Sequence, residues 1–523
     1  MAEDNSVKTS TSTPLQIVPY FGGFILETLT VGMYGESRNA IREYIQNGFD
    51  SIQKAIKMKI LKPDEGLIEL KLPGDQKSLT IRDNGAGLPA ESAAATLTSV
   101  GSSSKDYRKT AGFRGIGRLA GIVFSEKVTF TTKARGETTQ TKIVFDAFAM
   151  RQAMSPEEGS AISAETLIKQ CVSGIKEANL NLDDHFFEVK LEGLTDPPEE
   201  CVSFHKLEEF VSQVAPVPYS AEFKCKQTLL DAAAKYNIPI DEVRISIEEG
   251  DKGPRDVMKP YVHMHKMESR EVPLDDCEIL DGPSAKWWGW VGKKTESGAF
   301  DEAKVSGIRI RVKNIQIDGT QIFREIFQRQ QKSYVRFTEY FLGEIFVEPS
   351  WLVPNARRDG FEEDPNWKTM RLELGGIAKR LGKQSYDIST EAQRTVGKLK
   401  ERLEQANRDM DVLRRSNFSD PDRVLALTVN ITRWKGEVDK ASADADRPTL
   451  AQLNEIGSSL LDIKTECLKR IGTVEKPDLE EISLHARDEL VQELMALFED
   501  RLSPKCVTEV RSILREYLGQ PDL

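Results

Sequence analysis

Residues 38–56 read RNAIREYIQNGFDSIQKAI, and two patterns run through them at once. Ile41, Ile45, Phe49, Ile52 and Ile56 recur at steps of three and four, which predicts an amphipathic helix with one apolar stripe. Glu43, Asn47 and Asp50 share another face. At 100° per residue they sit at roughly 0°, 40° and −20° over about 10 Å of axis, so three oxygen-bearing side chains point into one space. Alone, such a stripe is the solvated face of a surface helix.

Two further segments change that reading. Leu79-Thr-Ile-Arg-Asp83-Asn-Gly85-Ala-Gly87 runs a strand-like stretch into D-x-G-x-G. Gly85 and Gly87 allow backbone close to a planar ligand, and the Asp83 carboxylate can accept a hydrogen bond from an exocyclic amino group such as that of adenine. Guanine offers an oxygen there instead. By itself the motif is an ordinary glycine-rich turn. Next, Ser99-Val-Gly-Ser-Ser-Ser-Lys105 leads through a polar run to Gly112-Phe-Arg-Gly115-Ile-Gly117. Glycine backbone N–H groups can approach phosphates, and a helix starting there adds its positive end. The charged KDYRKTA before the glycines is no strand, which excludes a dinucleotide fold, and no G-x-x-x-x-G-K-[ST] is present, which excludes a P-loop.

In this order and within about 75 residues, the three segments from Glu43 to Gly117 resemble the GHKL ATPase superfamily, and the E-x-x-x-N-x-x-D helix is most similar to its heat-shock-ninety, MORC and MutL branches. The resemblance implies an α+β Bergerat-type ATPase sandwich, helices on a mixed sheet, that binds and hydrolyses ATP with Mg²⁺. Carried over by it, Glu43 is the general base, Asn47 the magnesium ligand, Asp83 the adenine contact and Asp50 a support of the adenine pocket. Gly85 and Gly87 admit adenine and ribose, while Lys105, Gly112, Gly115 and Gly117 hold phosphates under a lid over about residues 99–111. The family's Gly-Thr pair on a late strand is missing from the candidate here, His185-Phe-Phe-Glu-Val-Lys190. A second resemblance lies in Pro354-Asn355-Ala-Arg357-Arg358-Asp359, similar to the chaperone middle-domain loop P-L-N-x-S-R-E. It makes Arg358 the γ-phosphate contact and a catalytic residue, with Arg357 its neighbour. The alternative is a surface network of Arg357 and Arg358 with Asp359, Glu362 and Glu363.

The rest of the 523 residues suggests about three domains. Residues 1–14 read as a disordered tail, 15–200 as the ATP-binding domain, 201–385 as a transducer-like α/β middle domain, and 386–523 as helical throughout. The boundary near 200 rests on Pro197 and Pro198. In the helical part Val396, Leu399, Leu403, Ala406, Met410 and Leu413 keep a/d spacing, which predicts one arm of an intrachain bundle and is compatible with a dimer seam. His485 follows the ATPase segment, whereas a histidine kinase's phosphoacceptor helix precedes it.

Lys and Arg total 72 against 83 Asp and Glu, a net charge of −11 that argues against coating nucleic acid by bulk electrostatics. Ile308-Arg-Ile-Arg-Val312 reads as a strand exposing Arg309 and Arg311, and with Lys313, followed by Arg324, Arg329, Lys332 and Arg336, it keeps DNA open as a partner. Trp287, Trp288 and Trp290 read as core or as a partner platform, and His263 and His265 lack an evident third metal ligand. The six cysteines contain no C-x-x-C pair, which reads as reduced thiols in a cytoplasmic protein. Neither a signal peptide nor a membrane span is expected. The expectation is an ATP-driven homodimeric clamp, chaperone-like and acting on a protein partner, with a MORC- or MutL-like DNA clamp in bacterial defence or genome maintenance as the alternative.

Overall fold

A computed structural model describes residues 21–28, 37–74, 77–101, 117–155, 162–267, 270–274, 276–293, 298–355, 357–443, 445, 447–471, 495 and 510–511. The expected tail, residues 102–111 of the lid, Lys105, Gly112, Gly115, His485 and Cys506 lie outside them. The chain divides into two compact units, residues 1–388 and 389–523.

The first unit is built on an eight-stranded sheet. Its strands are β1 (Leu67–Leu72), β2 (Ser78–Asp83), β3 (Ser125–Lys133), β4 (Thr139–Asp146), β5 (Val172–Ala178), β6 (Phe186–Leu194), β7 (Arg244–Glu249) and β8 (Lys252–Asp256), in the order β5-β4-β3-β6-β2-β1-β7-β8. The pairing is antiparallel except for β1 with β7, where Leu67 faces Arg244 in a parallel register. The sheet is therefore mixed, and it does not stop at the boundary expected near residue 200. Period-two alternation sets its inner face. Ile68 and Leu70 pair with Ile245 and Ile247, Ile81 with Val189, and Phe130 with Val189 and Ile143, so the paired residues form continuous apolar rows.

Helices α1 (Phe24–Glu27), α2 (Asn39–Lys57), α3 (Ala93–Thr98), α4 (Ala147–Ala153), α5 (Ala164–Cys171) and α6 (Phe204–Val214), with a 3-10 helix over Gly117–Val123, accompany that sheet. The stripe expected on α2 is what packs: Ile41, Ile45, Phe49 and Ile52 are buried in one core with the sheet rows.

Helix α7 (Lys226–Tyr236) and the hairpin of β9 (Met264–Met267) with β10 (Arg270–Pro273) lead into a five-stranded sheet. Its order is β11-β12-β15-β13-β14, from β11 (Asp276–Asp281), β12 (Trp287–Lys293), β13 (Gly307–Val312), β14 (Ile315–Ile317) and β15 (Leu342–Val347). One face meets α8 (Gln321–Gln330), a 3-10 helix over Lys332–Tyr340 and the first turns of α9 (Pro365–Arg415). The other face packs against α7 and the β9–β10 hairpin.

Trp287 points to the first face while Trp288 and Trp290 point to the second, and all three are fully buried. Their indole N–H groups donate to Glu373, to the Ile238 carbonyl and to the Tyr219 hydroxyl. The tryptophans are core, not platform. His265 is also buried, its ring edge-on to Phe300.

The alternation expected to expose Arg309 and Arg311 is overturned, because every residue of β13 is buried. Arg309 donates to the carbonyls of Ala303, Val305 and Ser306. Arg311 meets Glu344 and donates to the carbonyls of Asn314 and Gln213. A strand covered on both faces buries its polar residues too, and these guanidiniums are retained because each has internal acceptors.

In the second unit the end of α9 packs with α10 (Pro421–Ala443) and α11 (Arg447–Ile471). Val396, Leu399, Ala406, Met410 and Leu413 are buried against Val424, Leu427 and Ile431 of α10 and Leu453, Ile456 and Leu460 of α11. The a/d seam is thus filled within the chain. At its end Asn417 and Phe418 take left-handed backbone, and the Phe418 N–H donates to the Leu413 carbonyl, closing α9. Cys171, Cys201, Cys225, Cys277 and Cys467 are free thiols. Among the described residues no helix is long and apolar enough to cross a membrane.

Candidate functional site

With the apolar stripe of α2 committed to the sheet, Glu43, Asn47 and Asp50 lie on the other side of the helix. Glu43 and Asp50 are buried and Asn47 is half-buried. Gly48 sets the spacing between helix and strand. A β-carbon there would stand 3.2 Å from the Asp83 side chain, so its absence lets the last residue of β2 approach α2. Asp83 is 4% exposed, and its Oδ1 accepts the Gly85 N–H at 2.9 Å, opening the glycine turn.

The turn is pinned from three sides. The Ala86 N–H donates to the Ser51 carbonyl of α2, the Leu88 N–H to Thr132 Oγ1 of β3, and His185 Nδ1 to the Gly85 carbonyl at 2.8 Å. Since a carbonyl only accepts, Nδ1 carries the proton. The Thr132 hydroxyl in turn donates to the Phe186 carbonyl, tying the turn to β6. A β-carbon on Gly85 would lie 2.2 Å from Ser51 Oγ, and one on Gly87, where φ is +61°, would lie 2.0 Å from the Lys133 carbonyl. The space a side chain would take at these glycines is filled by α2 and β3, so close packing of the turn already requires them.

Gly117 is the one glycine of the G-x-x-G-x-G run among the described residues, and it abuts Glu43. A β-carbon there would stand 2.3 Å from Glu43 Oε2. Tyr44 holds the two together, its hydroxyl donating to the Arg118 carbonyl and accepting the Gly121 N–H. Burial pushes that phenol well above its ordinary pKa, so it stays protonated and can donate.

Arg358 arrives from the loop after β15. Its backbone is left-handed at φ 57°, with its N–H on the Asn355 carbonyl and its own carbonyl accepting the Asp318 N–H. The side chain reaches Glu43, Nε to Oε1 at 3.1 Å, and the side chains are only 8% and 12% exposed. The carboxylate of Glu43 is therefore held between Gly117 and Arg358. Arg357 is exposed, and its carbonyl accepts from Arg42 at 3.0 Å. The surface-network alternative does not describe Arg358, and Glu363 bonds Arg371 instead.

Lys313 also approaches this face. Lys313 and Asn314 are both left-handed and join Val312 to its partner Ile315, the geometry of a tight two-residue hairpin. Burial depresses the Lys313 pKa, and the charges of Asp50 and Asp241 oppose the fall. Sequence reasoning missed Ser51, Thr132 and His185 as supports of the turn, and no local pattern marks them. It placed Lys313 on a basic strand, whereas the Lys-Asn pair before Ile315 was a turn signal.

Glu43 thus meets a guanidinium brought in from more than three hundred residues away, and Asp83 stands where β2 approaches α2 at Gly48. Residues 35–174 match the family described as histidine kinase-, DNA gyrase B-, and HSP90-like ATPase. The chain is also similar to the chaperone protein HtpG of Halalkalibacterium halodurans, 27% identical over 129 residues, which are 22% of this chain and 21% of that protein. HtpG of Nocardia farcinica is 29% identical over 163 residues, 27% of this chain and 25% of that protein. The match spans about a quarter or less of the length of these relatives. Residues 35–174 are accordingly an ATPase domain of the GHKL superfamily, in its Hsp90-like branch.

Proposed function

We propose that this protein is an ATP-driven conformational clamp, chaperone-like in kind, that remodels or regulates a protein partner. The observation that carries the reading is the buried contact between Glu43 of the ATPase segment and Arg358 of the following one. Nucleotide chemistry at Glu43 is coupled through that contact to the position of the downstream segment. Asp83 accepts from the adenine amino group, with Asp50 supporting that pocket and the turn of Gly85 and Gly87 forming its edge. Asn47 offers an amide oxygen, a hard donor suited to Mg²⁺ completed by phosphates and water. Lys105, Gly112, Gly115 and Gly117 hold the phosphates.

In the arrangement described, Glu43 is engaged by Arg358. Arg358 moves from Glu43 to the γ-phosphate when ATP binds, which frees the carboxylate to orient and deprotonate water. Turnover is slow because the site is completed by motion of a second segment. The working parts are the segments 15–200, 201–385 and 386–523, in a cytoplasmic homodimer whose amino-terminal segments associate with ATP. A protein partner is favoured over DNA because Arg309 and Arg311 are spent inside the fold, which leaves Arg324, Arg329, Lys332 and Arg336 as the exposed part of that basic set.

The test is steady-state ATPase of the full chain. Glu43→Ala retains nucleotide binding and loses about 10²–10⁴-fold in rate, and Arg358→Ala slows hydrolysis with near-normal binding. Full turnover by either variant removes that residue from the mechanism.

A further inference from the structure

Beside Arg358 lies a cleft of about 490 Å³ between the start of α2, α6 and β14. Arg38, Arg42, Arg357 and Arg358 line it with four acids, of which Glu209 faces it unpaired among the described residues and three are engaged. Glu200 pairs with Arg38, Asp318 accepts the Ile322 N–H, and Asp359 accepts the Asn355 amide. The wall also carries Gln316 of β14, 6% exposed, whose Oε1 has no hydrogen-bond partner among the described residues. An acceptor buried without a donor costs about 1–3 kcal/mol, so the cleft is built for something that donates to it.

We propose that this cleft binds inorganic phosphate and receives the phosphate split from nucleotide at the adjoining site, an inference that rests on the ATPase reading above. Hydrogen phosphate carries both chemistries the wall requires. Its charged oxygens accept from guanidinium forks, and its remaining O–H donates to Gln316 Oε1. Continuity with the nucleotide site runs through one side chain. Gly117 abuts Glu43, Glu43 pairs with Arg358, and Arg358 lines the cleft. Phosphate released beside Glu43 needs only the displacement of Arg358 to enter, and the cavity has room for its hydration water.

The chemistry separates phosphate from sulfate, which has the same shape and no O–H to donate near neutral pH. A site with a buried group waiting for that hydrogen rejects the analogue that lacks it. The experiment is titration calorimetry of the full chain with sodium phosphate and with sodium sulfate, each at saturating ADP. One phosphate binds per chain, about tenfold or more tightly than sulfate. Gln316→Leu abolishes the preference while sulfate binding persists, and Arg42→Gln weakens both ions about tenfold or more.

A chain that binds ADP but no phosphate, or that keeps the preference in Gln316→Leu, overturns this assignment and leaves the ATPase reading intact. Phosphate displaced by ADP marks the nucleotide site and equally overturns it. A chain that binds no ADP removes the ATPase reading and, with it, the origin proposed for the phosphate.

Discussion

Two buried clusters in the first unit pair a glutamate with an arginine, and they are built differently. Glu344 and Arg311 are wholly enclosed. Glu344 also takes Lys259 at 2.9 and 3.1 Å and the Tyr219 hydroxyl, while Arg311 donates to two backbone carbonyls. Glu43 accepts from Arg358 Nε at 3.1 Å, and Arg358 borders an open cleft. The first cluster binds its glutamate from three side chains and anchors its arginine on two backbone carbonyls, so it fixes one geometry. The second leaves its guanidinium next to water and next to the expected phosphate position. Equal chemistry therefore gives a strut in one place and an exchangeable contact in the other.

The largest separation of the two is in stability. Glu344→Ala strands Arg311 and Lys259 in the interior and costs about 3–5 kcal/mol, whereas Glu43→Ala costs about 1 kcal/mol because Arg358 turns to the cleft. Urea unfolding monitored by tryptophan fluorescence measures both, and equal losses would erase the distinction.

The same comparison has a pH signature. Burial alone would raise the Glu344 pKa, but the charges of Arg311 and Lys259 and the Tyr219 hydroxyl outweigh it and hold it at about 2, from an ordinary 4.5. A carboxyl favoured as its anion in the folded state contributes stability above pH 4.5 that is lost as pH falls toward 2. The stability advantage of the natural protein over Glu344→Gln accordingly shrinks across that interval in thermal melts. An advantage that stays constant down to pH 2 removes the ionic account.

A smaller effect sharpens the exchangeable side. Gly117→Ala places a methyl group against Glu43 Oε2, where only 2.3 Å is available, so the carboxylate must shift. Hydrolysis falls about tenfold to a hundredfold, measured by single-turnover kinetics at saturating nucleotide. Unchanged hydrolysis would mean that the position of Glu43 is not critical.

Much of this arrangement was legible in short-range pattern. The stripe from Ile41 to Ile52 gave α2 and fixed which face Glu43, Asn47 and Asp50 would present. D-x-G-x-G marked a turn, and the a/d spacing from Val396 to Leu413 marked a helical arm. What stayed hidden depends on partners distant in sequence. Nothing in residues 67–72 announces their parallel pairing with 244–249. An alternation of isoleucine and arginine reads as half-exposed unless one knows that Glu344 waits on the neighbouring strand. Ser51, Thr132 and His185 support the glycine turn by hydrogen bonds to its backbone, which no local residue pattern encodes. The glycines of the turn were legible for a partly different reason than the one expected, since Gly85 and Gly87 are demanded by Ser51 and Lys133.

The central claim is that an adenine nucleotide sits between Asp83 and Glu43, and calorimetric titration of ATP and GTP with Mg²⁺ into the natural protein and Asp83→Asn tests it most directly. The account predicts ATP binding by the natural protein, no GTP binding, and no detectable ATP binding by Asp83→Asn. Undiminished ATP affinity in Asp83→Asn would contradict it.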